Sequence, residues 1–121
     1  MNIAVIGASN DKEKWGNKAV RAYATMGWTV FPINPHDREV EGLEAYKSVL
    51  KVPYKIDRVS LYTPAEVSLK LVNQIRKVGA KEVFINPGAE SDELIEALKK
   101  AGIKPLLQCS IIAIGVDPSR L

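Results

Sequence analysis

A chain of 121 residues with 46% hydrophobic content has room for one domain around a real core and none for a two-domain enzyme. Seventeen Lys and Arg are scattered among fourteen Asp and Glu, a net charge of +3 without the basic block that tracks a nucleic-acid backbone; this balance suits a small anionic ligand better. The single cysteine, Cys109, excludes an intrachain disulfide, the single histidine, His36, excludes a multi-histidine metal site, and no apolar run nears the roughly 20 residues that span a bilayer.

With an apolar strand pattern at its start instead of a basic leader, the chain is expected in a reducing cytoplasm. That first run, Ile3-Ala4-Val5-Ile6, leads straight into Gly7-Ala8-Ser9-Asn10. After a polar stretch, Trp15-Gly16-Asn17-Lys18 opens a helix that Asn17 can cap, with Ala19, Val20, Tyr23 and Ala24 on one side and Gly27 at its stop. A second run, Thr29 to Ile33, ends in Asn34-Pro35-His36. The stretch from Asn34 to Asp57 is the least regular, with Tyr46 to Leu50 readable as one short helix in a crossover.

A third run spans Arg58 to Tyr62, and Thr63-Pro64-Ala65-Glu66 after it reads as a capping box with proline at the first helical position. Val67, Leu71, Ile75 and Val78 carry that helix to Gly79. The fourth run, Glu82 to Ile85, turns through Asn86-Pro87-Gly88-Ala89-Glu90 into a helix opened by Ser91, with Leu94, Ile95, Leu98 and Ala101 inward and Gly102 after its end. A fifth, Lys104 to Leu107, precedes Cys109 and an apolar tail, Ser110 to Val116, which either adds to the core or joins two subunits in a homodimer.

Runs apolar on successive residues indicate strands covered on both faces, as in parallel sheets. Strand and helix alternating with right-handed crossovers predict a single α/β domain over residues 1–121, a Rossmann-like doubly wound domain with a five-stranded parallel sheet. Its expected strand order is 3-2-1-4-5, with the switch point between strands 1 and 4 and the ligand outside the carboxyl ends there.

The loop after the first run carries the chemistry. Small residues let backbone N–H groups approach phosphate oxygens, and the positive end of the following helix favours an anion; Ser9 adds a hydroxyl and Lys18 a charge. The plainer reading is that Gly7 permits a tight turn and Gly16 relieves crowding. Trp15 either covers this loop or simply packs. A usual NAD site would show G-x-G-x-x-G and an acid at the end of the second strand, and a P-loop would show G-x-x-x-x-G-K-[ST]; neither is present.

Taken together, Ala4-Val5-Ile6-Gly7-Ala8-Ser9, Gly16 and Asn17, Val30-Phe31-Pro32-Ile33-Asn34-Pro35, Glu41-Gly42 with Tyr46, and Ala80-Lys81 resemble the small stand-alone CoA-binding proteins, whose fold matches the CoA-binding domain of the succinyl-CoA synthetase α subunit. The resemblance covers nearly the whole chain. It implies coenzyme A as cofactor, with Ala8, Ser9, Gly16, Asn17 and Lys18 on the phosphates and Asn34, Pro35 and His36 beside the nucleotide end. It further implies that Thr63 and Pro64 line the slot and that Asn86, Pro87 and Gly88 face the pantetheine arm. Family members often carry Lys where His36 stands and a glutamine-containing turn where Asn86-Pro87-Gly88-Ala89 stands; Arg38 is a candidate replacement for the missing charge.

His36 is either an idle loop residue or a ligand contact, and Cys109 reads as a small buried hydrophobe, not a nucleophile. With one histidine and one cysteine no catalytic triad assembles. The function expected is therefore non-covalent binding of CoA or an acyl-CoA without turnover, a cytoplasmic binding protein and not an enzyme. The alternatives are an NAD(P)-binding enzyme or redox sensor with an atypical loop, and an interaction subunit that has kept the fold and lost the ligand.

Overall fold

The computed structural model describes residues 1–121. In chain order the elements are β1 (Asn2–Ile6), α1 (Trp15–Thr25), β2 (Thr29–Ile33), a hairpin of β3 (Glu39–Val40) and β4 (Leu43–Glu44), a 3-10 turn (Val49–Lys51) and β5 (Arg58–Leu61). There follow α2 (Ala65–Leu69), α3 (Val72–Val78), β6 (Glu82–Ile85), α4 (Asp92–Lys100), β7 (Pro105–Leu107) and two 3-10 turns, Ile112–Ile114 and Pro118–Arg120. No helix is long and apolar enough to cross a membrane.

Successive strand residues feed opposite faces. Ala4, Ile6, Val59, Leu61, Val83 and Ile85 meet Ile75 of α3 and Leu94 and Leu98 of α4 on one face, while Ile3, Val5 and Val30 meet Ala19, Val20 and Tyr23 of α1 on the other. The tail joins this second face through Ile111, fully buried, with Ile114, Val116 and Leu121 packed around it, whereas Ile112 points outward. Of the two roles open to the tail, addition to the core is the one these contacts make.

All five major strands are parallel, as their two-sided burial predicts, but their order is 2-1-3-4-5 and not 3-2-1-4-5: β2, β1, β5, β6, β7. The physical reason lies at the outer edge of β2. There Tyr46 N–H donates to the Pro32 carbonyl and its own carbonyl accepts from Asn34 N–H, both at 2.9 Å. Pro32 has no N–H to offer a further strand, so the irregular crossover closes this edge and the chain returns past β1 to form β5 on its far side. The switch point therefore lies between β1 and β5, not between the first and fourth runs. Tyr46 is extended, and the helix expected over 46–50 shrinks to the turn at Val49–Lys51, capped by Ser48, whose hydroxyl accepts from Leu50 N–H at 3.1 Å.

Two other helix boundaries differ. Asn17 does not cap α1, which begins at Trp15; fully buried in the first turn, it aims inward instead of back at the helix N–H groups. The capping box at Thr63 does not close either, because the Thr63 hydroxyl pairs with the buried Ser68 hydroxyl at 2.6 Å. The single helix expected up to Gly79 is broken at Lys70 and Leu71, whose N–H groups bond three residues back. Ser91 does cap α4, accepting from Leu94 N–H at 3.0 Å.

Gly16 carries a constraint. A methyl group in place of its hydrogen would stand 2.0 Å from the Gly7 carbonyl oxygen, so the first turn of α1 rests directly on the backbone after β1. Replacing Gly16 with alanine must push helix and loop apart, and overpacking of this kind costs about 3 kcal/mol. Urea denaturation of Gly16→Ala is expected to show that loss, even though alanine favours helices elsewhere.

Candidate functional site

The loop between β1 and α1 is held by its carbonyl groups. The Ala8 carbonyl accepts from Asn34 Nδ2 at 2.9 Å, and the Ser9 carbonyl accepts from Asn17 Nδ2 at 2.8 Å. Asn17 also donates to Glu41 at 3.0 Å and accepts from Arg21 at 2.7 Å, while the Asn34 oxygen takes the N–H groups of His36 and Asp37. With its carbonyls tied back, the loop leaves the N–H groups of Ala8, Ser9 and Asn10, and those of Trp15 and Gly16 opening α1, without any partner in the chain. Such unpaired donors at a helix start favour an anion. Lys18 stands near them, its ammonium 4.8 Å from the Trp15 ring centre.

Two clefts flank this loop along the carboxyl edge of the sheet. The larger, of about 420 Å³, is lined by Trp15, by Tyr62, Thr63 and Pro64 after β5, by Asn86 to Ala89 after β6, and by Cys109 after β7. The smaller, of about 210 Å³, lies toward β2, between Gly7, Pro35, Ser48, Val67 and Gln74. Thr63 lines both, so the two clefts are neighbours at the switch point. Gly7, at φ +92°, has no room for a side chain there: an added carbon would meet Tyr62 and Thr63 backbone at 3.0 and 3.2 Å. A third, open and polar cleft with Pro35, His36, Arg38, Glu44 and Lys47 continues beyond the β2 end.

Beneath the larger cleft runs a buried polar network centred on Ser110. Its N–H donates to Asn86 Oδ1 at 2.9 Å, its carbonyl accepts from Tyr23 at 2.7 Å, and its hydroxyl bonds to the hydroxyls of Ser60 at 2.7 Å and Tyr62 at 3.0 Å. Asn86 Nδ2 completes it with bonds to the Ser60 hydroxyl and the Leu61 carbonyl, both 2.8 Å. No buried side-chain polar atom is left without a partner. Burial pushes the Tyr62 phenol up to about 12, against the smaller opposing effect of the Ser110 and Ser60 hydroxyls, and raises Tyr23 in the same direction.

The residues from 1 to 115 match a protein family described as a CoA binding domain. The chain belongs to that family. It is 32% identical over 112 residues to the ADP-forming acetate–CoA ligase I of Archaeoglobus fulgidus and 33% identical over 115 residues to the alpha subunit of ADP-forming acetate–CoA ligase II of Pyrococcus furiosus. Each alignment takes in 84% of this chain but only 16% and 25% of those proteins, so the chain spans a quarter or less of their length. A conserved hypothetical protein from Pyrococcus furiosus has nearly the same extent: at a TM-score of 0.86 and 34% identity, the match covers 93% of this chain and 97% of that one.

In this CoA-binding domain the expected site residues separate into two groups. Trp15, Thr63, Pro64, Pro87 and Gly88 line the larger cleft, Gly7 and Pro35 the smaller, and His36 only the polar cleft beyond. Ala8, Ser9 and Gly16 offer backbone N–H groups, and Lys18 a charge beside them. Asn17, Asn34 and Asn86 are struts, their amides committed to the scaffold, although Asn86 also forms part of the cleft wall. The reading of residues alone missed Tyr62, Ala89 and Lys47 as cleft-lining groups. Tyr62 was legible as the residue leaving a strand; Lys47 was hidden by reading its segment as a helix.

The raised Tyr62 phenol carries a pH dependence. Below pH 10 folded and unfolded chains both keep its proton; between about pH 10 and 12 the unfolded chain loses it first, so stability falls through that window. Urea titrations at pH 9 and 11.5 are expected to show Tyr62→Phe losing less stability than the parent, with a difference of about 2 kcal/mol. An equal fall in both would remove Tyr62 as its source.

Proposed function

We propose that the chain binds coenzyme A, or an acyl-CoA, non-covalently across these two clefts and does not turn it over. The diphosphate lies on the free N–H groups of Ala8, Ser9, Trp15 and Gly16, with Lys18 adding charge. The adenosine end occupies the smaller cleft by Pro35, and the pantetheine arm the larger one between Pro64 and Pro87. One observation carries this reading: the two clefts share Thr63 and lie on either side of the unpaired amides, so an extended ligand with a central diphosphate meets each part in turn. Membership of the family supports the choice of ligand.

The binding role without catalysis is supported by the separation of the reactive side chains. Cys109 lines the larger cleft and His36 the polar cleft beyond β2, so no cysteine–histidine pair forms. The ligase activities named for the longer relatives belong to proteins of whose length this chain spans a quarter or less.

Calorimetry with CoA, NADH, NADPH and ATP side by side is expected to give saturable binding for CoA and much weaker binding for the others; tight NADPH binding with none for CoA overturns the proposal. Lys18→Ala is expected to weaken CoA binding several-fold and to flatten its dependence on salt, because one screened cation contact is lost. An unchanged affinity would place Lys18 outside the site.

A further inference from the structure

The hairpin after β2 holds an irregularity that its own short strands do not explain. β3 and β4 pair Glu39 with Glu44 and Val40 with Leu43, so Glu41 and Gly42 alone make the turn, at φ +52° and +75°. Two-residue turns with positive φ at both places favour Asn, Asp or Gly first, because longer side chains are strained there. Glu41 is nevertheless the one residue other than glycine in the chain with a positive φ. Its charge is equally out of place, since the unpaired N–H groups of the neighbouring loop favour an anion of their own.

What the strained residue touches accounts for both. Val40, fully buried in the cluster that holds Ala19 and Val20 of α1, fixes the hairpin against that helix. From there the Glu41 carboxylate accepts from Asn17 Nδ2 at 3.0 Å, while the same nitrogen also donates to the Ser9 carbonyl at 2.8 Å. Arg21 Nε holds the Asn17 oxygen at 2.7 Å, so the amide is gripped at both ends. Asn17 is fully buried, and a buried N–H stripped of its acceptor is costly; without Glu41 the amide turns and releases Ser9. Because the peptide is planar and trans, drawing the Ser9 carbonyl toward Asn17 aims the Asn10 N–H the other way. The segment before Glu41 takes the Asn10 side chain as well, whose Nδ2 donates to the Glu39 carbonyl at 2.8 Å and to Asp37 at 3.0 Å.

Strain retained at one position points to a use for it. Resting on the CoA reading above, we infer that Glu41 is a positioning residue for the diphosphate: through Asn17 it holds the Ser9 carbonyl, and so keeps the unpaired N–H groups from Ala8 to Asn10 set for the ligand. Glu41 lines neither of the two clefts, so its effect passes through Asn17.

The test is calorimetry with CoA on the full chain and on Glu41→Gln and Glu41→Gly, each at a temperature where urea titration shows it fully folded, so that a change in stability alone does not move the affinity. Both variants remove the charge, but only glutamine keeps an oxygen that can accept from Asn17, and glycine takes φ +52° without strain, so the turn survives. Glu41→Gln is expected to bind CoA at least as tightly as the parent. Glu41→Gly is expected to bind about fivefold more weakly than Glu41→Gln, because binding must then order a loop no longer held for it. Equal affinities of the two variants overturn the assignment, and so does a weakening shared by both, which would trace to the charge and not to the bond. Absence of CoA binding by the parent overturns the reading of the clefts together with this one, a pattern distinct from CoA binding that is indifferent to Glu41.

Discussion

The contact on which the site depends has no side chain in it. The first turn of α1 sits on the Gly7 carbonyl so closely that Gly16 has no space for one more carbon, and Gly7 in turn is pressed against the backbone of Tyr62 and Thr63. Two glycines thus bring three segments of main chain to van der Waals contact at the switch point. Backbone packed on backbone is stiff, and a stiff frame lets N–H groups stay aimed at a ligand without being ordered by it. The asparagines finish the work by taking the loop carbonyls, which leaves the N–H groups without a partner in the chain.

On the face that carries α1, the central strands are not apolar throughout. β5 places Arg58 and Ser60 there and β6 is followed by Asn86, and these polar groups are satisfied by Tyr23, Tyr62 and Ser110. A buried network in a low dielectric is favourable only if complete, and this one is complete. Because Ser110 ties strand ends, helix and tail at one point, the wall of the larger cleft at Cys109 is fastened to the middle of the sheet although β7 has only three residues.

What could be read from residue order follows the range of the physics. Two-sided strands, the Ser91 cap and the left-handed stop at Gly79 arise from contacts within a few residues, and they are where the pattern places them. Strand order is a long-range property, and here one residue held the clue: Pro32 lacks the N–H a central strand needs, which marks β2 as an edge. The site divides in the same way. Gly7, Gly16 and the turns after β5 and β6 follow from chain geometry, but an asparagine beside a ligand and an asparagine holding up a loop look alike in a sequence. Asn17 and Asn34 hold the loop carbonyls, and Asn86 both ties into the buried Ser60–Ser110 network and lines the larger cleft. Lys47 escaped because the one-residue edge bridge beside it at Tyr46 has no periodicity to detect.

The two rims of the sheet differ in what they leave for another protein to pair with. At β2 the crossover has already filled the rim around Pro32, and at β7 the strand is three residues long and begins with Pro105, which has no donor. Neither side offers the run of free main-chain donors and acceptors on which a foreign strand could zip up. A domain that exposes Leu107 and Ile112 is thereby protected from the commonest route of β-sheet aggregation.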